Sequence, residues 1–314
     1  MKQNSFYYFL GLGFLIVFFL AGILYFSFRN FSSQEAVSPA VSSELEDYPK
    51  TTYLPVKFSP APGEVLARPD LKAKAGLLFD LNASQSVFEK NSEEKLPIAS
   101  LTKLMTALVV LENFSGQRDD RFFILDDDLK IENSYTDLKP GDNFSFDELL
   151  HLMLIRSDNV AAFVLAKTVA GDESSFVLRM NQKARFLGME NTLFYDSAGL
   201  ENNISTASDL RILAKEILSS YPEIFSISKI NELTIVSPNK KTFEIKNTNV
   251  LIGKIPGLVG SKTGFTPEAL GSLLVVFDYN QKTLVSVVLG SEDRFGDSSA
   301  LISWYWQLKS DNIN

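Results

Sequence analysis

The chain has no cysteine and a single histidine, His151. The first absence excludes disulfides and thiolate nucleophiles. With one imidazole and no thiol, a zinc site built on two or three His or Cys ligands is excluded too. A Ser-His-Asp triad would have to use His151. That residue lies in the apolar run Leu149-Leu-His-Leu-Met-Leu-Ile155 and reads as a helix residue with a structural role. These residue types give no reason to expect a metal or another cofactor. Positive charge is also scarce: 30 Lys and Arg stand against 38 Asp and Glu, for a net charge of -8 and no concentrated basic patch. Nucleic acid is therefore not an expected partner. If the chain carries a serine nucleophile, its base is a lysine.

What is present divides the 314 residues into three parts. Residues 6–28 form an uncharged, largely apolar run of 23, and a bilayer-spanning helix needs about 20. A secretory signal has a shorter apolar part, about 7–15 residues, followed by a small-residue cleavage site. Here the run ends in Phe28-Arg-Asn-Phe31, so residues 1–31 are expected to form an uncleaved transmembrane anchor. Lys2 and the amino terminus outweigh Arg29, which puts the N-terminus inside and the bulk of the chain outside the cytoplasm. Residues 32–62, rich in Ser, Pro, Glu and Ala, read as a flexible linker. Residues 63–314 are left for one folded domain; the whole chain is 45% hydrophobic and 22% charged, as globular proteins are.

The organising stretch of that domain is Pro97-Ile-Ala-Ser-Leu-Thr-Lys-Leu-Met-Thr-Ala-Leu-Val-Val-Leu-Glu112. Proline is tolerated where a helix begins, and Leu101, Leu104, Met105, Leu108 and Leu111 follow at helical spacing. Val109, Val110 and Ala107 make the other face apolar as well, which predicts a buried helix. Ser100 and Lys103 are three apart and lie on the same side of its first turn. Ser-x-x-Lys occurs four times, at Ser92/Lys95, Ser100/Lys103, Ser226/Lys229 and Ser237/Lys240. Ser92 sits in a charged run and Ser237 precedes Pro238-Asn239, both loop-like. Only Ser100 opens a long apolar helix. A hydroxyl beside an amine at that helix start is a candidate nucleophile with its base.

Around it, residues 73–80 and 86–90 flank a polar turn and predict a hairpin. Ser145-Phe-Asp-Glu148 is a capping box before residues 149–155. Further helices are predicted from Asn159 to Ala170, from Asp172 to Leu187, and from Ser205-Thr206 to before Pro222, the first two closed by Gly171 and Gly188. Residues 233–236, 242–245, 270–277 and 284–289 read as strands, and 298–308 as a final amphipathic helix. The order predicts an α+β fold: an antiparallel sheet closed by the chain's two ends and flanked by helices, beside a helical lobe.

Two more short motifs carry chemistry. Ser157-Asp158-Asn159 stands where one helix ends and the next begins, a turn able to aim a hydroxyl and an amide into a cleft. Ser-x-Asn recurs at Ser237/Asn239 and Ser310/Asn312. Lys262-Thr263-Gly264 occurs once, in Val259-Gly-Ser-Lys-Thr-Gly-Phe265. Alone it would read as a turn with a solvated lysine; in a site, Gly264 admits close backbone approach, and Lys262 and Thr263 suit a carboxylate.

In this order the three motifs are the set of penicillin-binding proteins and class A β-lactamases. The chain resembles the serine D-Ala-D-Ala carboxypeptidase family, the low-molecular-mass penicillin-binding proteins. The likeness extends from Ala73 to Trp306 through Leu138-Lys-Pro-Gly-Asp142, Met180-Asn-Gln-Lys-Ala184, Leu187-Gly-Met-Glu-Asn-Thr192, Gly199-Leu200, Ser205-Thr-Ala-Ser-Asp-Leu210 and Asn249-Val-Leu251. The resemblance implies a β-lactamase/transpeptidase-like fold. It also implies a membrane-anchored, extracytoplasmic bacterial enzyme acting on peptidoglycan stem peptides that end in D-Ala-D-Ala, with β-lactam antibiotics as covalent inhibitors. By the same resemblance Ser100 attacks the substrate carbonyl and Lys103 takes its proton. Ser157 relays a proton to the leaving D-alanine, and Asn159 orients Lys103 and the substrate. Lys262 and Thr263 hold the terminal carboxylate beside Gly264. The N–H groups of Ser100 and Phe265 meet the oxyanion, and Arg294 adds charge nearby. Burial and a charged Lys262 are expected to keep Lys103 neutral.

Two features depart from the family pattern. After Lys-Thr-Gly-Phe-Thr266 the usual Ala-Gly is replaced by Ala269-Leu270, with Gly271 one place later, which questions the floor of the cleft. The sequence also stops soon after its last predicted helix, so the C-terminal β-domain and amphipathic tail of many members are not expected. Other readings of the same motifs are a D,D-endopeptidase acting on cross-links, a β-lactamase and a non-catalytic penicillin-binding sensor. The β-lactamase reading needs an acidic deacylation base about 35 residues beyond the Ser-x-Asn turn, and residues 189–195 lack the Glu-x-x-Leu-Asn arrangement such enzymes show.

Overall fold

The computed structural model describes residues 67–131 and 136–310. The predicted anchor and linker lie outside the described residues. Among the described residues, no helix is long and apolar enough to cross a membrane.

The architecture is α+β. Strands β1 (Ala75–Asp80) and β2 (Gln85–Lys90) form the predicted hairpin. Asp80 shapes its turn, accepting the N–H groups of Asn82 and Ala83 at 3.0 Å each. Short strands β3 (Leu96–Pro97), β4 (Arg121–Phe123), β5 (Asn143–Ser145), β6 (Ile204–Ser205), β7 (Glu232–Val236) and β8 (Thr242–Lys246) follow. Then come β9 (Leu258–Thr266), β10 (Leu270–Tyr279) and β11 (Lys282–Ser291). Strands β1, β2, β9, β10 and β11 make one antiparallel sheet in the order β2-β1-β11-β10-β9. Strand alternation divides its side chains between two cores. Leu77, Leu274, Val276, Val285 and Val287 join the core of the helical lobe. Leu78, Leu273, Val275, Phe277 and Val288 face the other way, packing with Leu301, Ile302 and Tyr305 of the last helix, Arg294–Ser310.

In the lobe, α1 (Thr102–Asn113) is buried on all sides from Thr102 to Val110, as its two apolar faces predict. The capping box forms before α2 (Phe146–Ile155): Glu148 N–H donates to Ser145 Oγ at 3.1 Å, and Ser145 N–H to Glu148 Oε2 at 2.7 Å. Helix α3 (Asn159–Ala170) is capped by Asp158, and α4 (Glu173–Leu187) by Asp172. Both end at glycines with positive φ, +87° at Gly171 and +79° at Gly188, where a Cβ would be strained. Thr206 caps the helix Ala207–Ser220.

Two local expectations are corrected. No helix begins at Pro97: Leu96–Pro97 is a short strand paired with Ile204–Ser205, and Ile98 N–H donates to Asn203 O at 3.0 Å. A 3-10 turn over Ala99–Leu101 intervenes before α1. The extended pairing satisfies the backbone before the helix, and the missing N–H of proline is tolerated in so short an edge pair. Secondly, the predicted final helix is longer, starting at Arg294. Lys262-Thr-Gly lies within strand β9, a stretch without the apolar run that marks β10 and β11.

Candidate active site

Ser100 stands in the 3-10 turn, between two glycines that let other backbones come close. Ala99 before it has φ +46°, a left-handed conformation unusual for a residue with a Cβ. A Cβ placed on Gly199 would lie 2.1 Å from Ala99 O, and one on Gly264 would lie 2.7 Å from Ile98 O and 3.2 Å from Ser100 N. The loop holding Gly199 and the strand holding Gly264 thus both press on the turn that carries Ser100, and neither approach survives a side chain.

Lys103, fully buried at 0% exposure, extends its amine into this turn. Nζ is 2.9 Å from Ser100 Oγ, 2.6 Å from Asn159 Oδ1 and 2.6 Å from Ala198 O. The amide and carbonyl oxygens can only accept. A neutral amine has two N–H groups and one lone pair. Giving both N–H groups to Asn159 and Ala198 leaves the lone pair facing the Ser100 hydroxyl. Burial pushes the Lys103 pKa down to about 7, against the opposing pull of Asp196 and Asp158. The help expected from a charged Lys262 does not take that form, because the Lys262 amine is itself pushed well down.

Ser157 sits at φ +64° in the break between α2 and α3. The neighbouring Asp158 pairs with Arg156 at 2.8 Å and accepts the Ala161 N–H at 2.9 Å, fixing the break at both ends. Lys262, 2% exposed, reaches across from β9 and donates to Ser157 Oγ at 2.8 Å and to Thr263 O at 3.1 Å. Burial lowers its pKa, and the nearby Lys103 and Arg294 charges lower it further. Thr263 Oγ1 lies 2.5 Å from Thr248 Oγ1. Phe265 is 46% exposed, and the Arg294 guanidinium lies 5.8 Å from its ring centroid.

The structure therefore joins Ser100, Lys103 and Asn159 in one hydrogen-bonded group and Ser157 and Lys262 in another, with Thr263, Gly264 and Phe265 continuing along β9. His151 is apart: its Nδ1 lies 2.7 Å from Asp147 O within α2. Among the described residues, no three metal-ligating side chains come together.

The loop that supplies the Ala198 carbonyl lies outside the three motifs. Asp196 accepts the N–H groups of Ala198 and Glu201 at 2.5 Å each, and that of Gly199. Glu173, first residue of α4, accepts Ser197 N–H at 2.6 Å and Ser197 Oγ at 3.1 Å. Thr106, one turn beyond Lys103, donates to Ser197 O at 2.6 Å. The signal was present in Asp196-Ser-Ala-Gly199, a run typical of an aspartate-capped turn. The departure at the end of β9 is absorbed locally. Leu270 adopts φ +54°, left-handed backbone that glycine takes without cost, and Ala269 remains buried.

Comparison with known proteins agrees with this geometry. The D-alanyl-D-alanine carboxypeptidase family, peptidase S11, matches residues 63–293. D-alanyl-D-alanine carboxypeptidase DacF of Bacillus subtilis is 32% identical over 76% of this chain, which spans 63% of that protein's length. A D-alanyl-D-alanine endopeptidase of Pseudomonas aeruginosa is 34% identical, covering 79% of this chain and 82% of its own. The cefotaxime-bound crystal structure of penicillin-binding protein D2 from Listeria monocytogenes superposes with a TM-score of 0.69 at 30% identity, covering 76% of this chain and 99% of that one. With Ser-x-x-Lys, Ser-x-Asn and Lys-Thr-Gly converging on one cleft in that fold, the chain belongs to the peptidase S11 family of D-alanyl-D-alanine carboxypeptidases.

Proposed function

We propose that the protein is a serine D,D-carboxypeptidase that removes the terminal D-alanine from peptidoglycan stem peptides. The observation that carries this reading is the 2.9 Å contact of Lys103 Nζ with Ser100 Oγ, made by an amine whose other two partners can only accept. An amine with a pKa near 7 is about half neutral at neutral pH. That state costs about 5 kcal/mol relative to a lysine in water, supplied by exclusion of solvent.

In this mechanism Ser100 Oγ attacks the carbonyl of the penultimate D-alanine while its proton passes to Lys103. The tetrahedral oxyanion is met by the backbone N–H groups of Ser100 and Phe265. Collapse breaks the C–N bond, and the proton held by Lys103 passes through Ser157, which Lys262 orients, to the leaving D-alanine nitrogen. Water then attacks the acyl-enzyme: its hydroxyl stays on the released peptide as the new carboxyl, and its other proton restores the Ser100 hydroxyl. Asn159 holds both the Lys103 amine and the substrate amide. Lys262 and Thr263 bind the terminal carboxylate, with Gly264 leaving room beside it. β-Lactams acylate Ser100 by the same attack, opening the ring without a departing amine. The uncharged 6–28 run tethers the protein to the membrane with residues 63–314 outside the cytoplasm.

Free D-alanine released from a stem pentapeptide, and lost in Ser100→Ala, is the expected result. An active-looking fold that binds penicillin but releases no D-alanine would instead be a sensor. The endopeptidase relative supports a second reading, cleavage of D-Ala-containing cross-links, which cross-linked muropeptide dimers distinguish from pentapeptides by mass spectrometry. Rapid turnover of penicillin would favour a β-lactamase. Recovery in the membrane fraction, with residues 63–314 open to added protease in cells stripped of wall, tests the tether.

A further inference from the structure

Thr248 belongs to none of the three motifs, yet its hydroxyl meets that of Thr263 at 2.5 Å. Its neighbours fix it there. Asn247 Nδ2 donates to Ser228 O at 2.9 Å and Ile230 O at 2.8 Å, and its Oδ1 accepts Asn249 N–H at 2.9 Å. Asn249 Nδ2 donates to Ser261 Oγ at 2.8 Å, on the strand that carries Lys262 and Thr263. Thr248 N–H donates to Ile155 O at 3.3 Å, two residues before Ser157. The segment is thereby pinned to both walls of the cleft, with the Thr248 hydroxyl held against Thr263.

Each hydroxyl has one proton to donate. If Thr263 gives its proton to Thr248, it has none for a ligand. If Thr248 donates to Thr263, the Thr263 proton is released toward the cleft. An arriving carboxylate selects the second arrangement, and the chain Thr248 to Thr263 to carboxylate strengthens as each bond polarises the next. A neutral group in the same place gains far less from it.

We propose that Thr248 is a positioning residue for recognition of a free C-terminal carboxylate, acting through the Thr263 hydroxyl. The proposal rests on the reading of Lys262 and Thr263 as the carboxylate subsite of a D,D-peptidase.

The test compares acylation by benzylpenicillin, which carries the carboxylate, with acylation by its methyl ester. Thr248→Val is expected to lower the second-order rate constant for the free acid about 5-fold, through weaker binding and not through the limiting acylation rate. The same variant should leave the ester within about twofold of wild type. Thr248→Ser should restore the free-acid rate. Should the valine variant not fold, Thr248→Ala carries the same expectation. Equal loss with both compounds, no loss with either, or no rescue by serine overturns the role of Thr248. Wild-type protein acylated by neither compound overturns the peptidase reading itself, and the Thr248 role with it.

Discussion

Lys262 Nζ donates to Ser157 Oγ across 2.8 Å, joining an edge strand to the gap between two helices. The contact matches the Lys103–Ser100 pair in kind: a buried amine on a serine hydroxyl, each amine with its pKa lowered first by burial. Two buried amines this near each other cannot both be charged cheaply. The cleft is thus arranged to favour a neutral amine at one of its two serines.

Acylation should follow the titration of Lys103. The amine can accept the Ser100 proton only when neutral, so the second-order rate with benzylpenicillin should rise with pH through a midpoint near 7 and then level. Lys103→Ala should remove acylation while keeping the circular dichroism spectrum of the wild type. A pH-independent rate from pH 5 to 9, or near wild-type acylation by the variant, would remove Lys103 from the role of base.

Stability should carry the same signature with a definite sign. The Lys103 amine titrates near 7 when folded and at 10.5 when free, so between those values the unfolded chain binds more protons. Folding then becomes more favourable as pH rises across that window, by about 1 kcal/mol per pH unit from this group. Urea unfolding of wild type and Lys103→Met at pH 7, 8 and 9 isolates the contribution. The wild type should gain on the variant at each step; parallel curves would show that the amine is not held neutral.

Gly264→Ala tests the close approach of β9 to the Ser100 turn. The added methyl would sit 2.7 Å from Ile98 O, a backbone atom with little freedom to retreat. The expected cost is about 1–3 kcal/mol of stability together with at least a tenfold loss of acylation, since the turn that shifts is the one bearing the hydroxyl. A variant acylated at the wild-type rate would mean that the strand need not lie so near.

Glu173→Gln and Glu173→Ala probe the loop behind Lys103. Burial raises the Glu173 pKa, while its bonds from Ser197 pull the other way. The alanine variant loses both acceptors of the Ser197 donors, so the 196–199 loop, and with it the Ala198 carbonyl on Lys103, should loosen. We expect the acid midpoint of acylation to move by a few tenths of a pH unit or more and the limiting rate to fall several-fold, with the glutamine variant intermediate. A drop in melting temperature with an unmoved pH profile would assign Glu173 to stability alone.

Much of this architecture was legible in residue pattern. Helices carried both period and punctuation: Ser145/Glu148 at one start, Ser205-Thr206 at another, Gly171 and Gly188 at ends. Strands β10 and β11 declared themselves as apolar runs between polar turns. Strand β9 did not, because Gly260, Ser261, Lys262, Thr263 and Gly264 have small or polar side chains and are held in the sheet by pairing to β10. Pro97 misled for a related reason, since its extended partner, Ile204, is more than a hundred residues away. Among the site residues, side chains in short motifs were visible, whereas Asp196-Ser-Ala-Gly199 marks only a turn, and the backbone carbonyl that Ala198 turns toward Lys103 is not written in its residue type. Thr248 was equally silent, being an ordinary threonine given meaning by a neighbour fifteen positions on.

The strand order has a bearing on biosynthesis. Strand β1, made early, is flanked by β2 and by β11, one of the last strands to be synthesised. A nascent chain that has emerged only as far as Gly257 already contains Ser100, Lys103, Ser157 and Asn159. It lacks the strand bearing Lys262, and the inner edge of β1 has nothing to pair with. Such distant pairings close late, so the protein should stay inert toward β-lactams while it is being synthesised, gaining reactivity only when almost the whole chain is free.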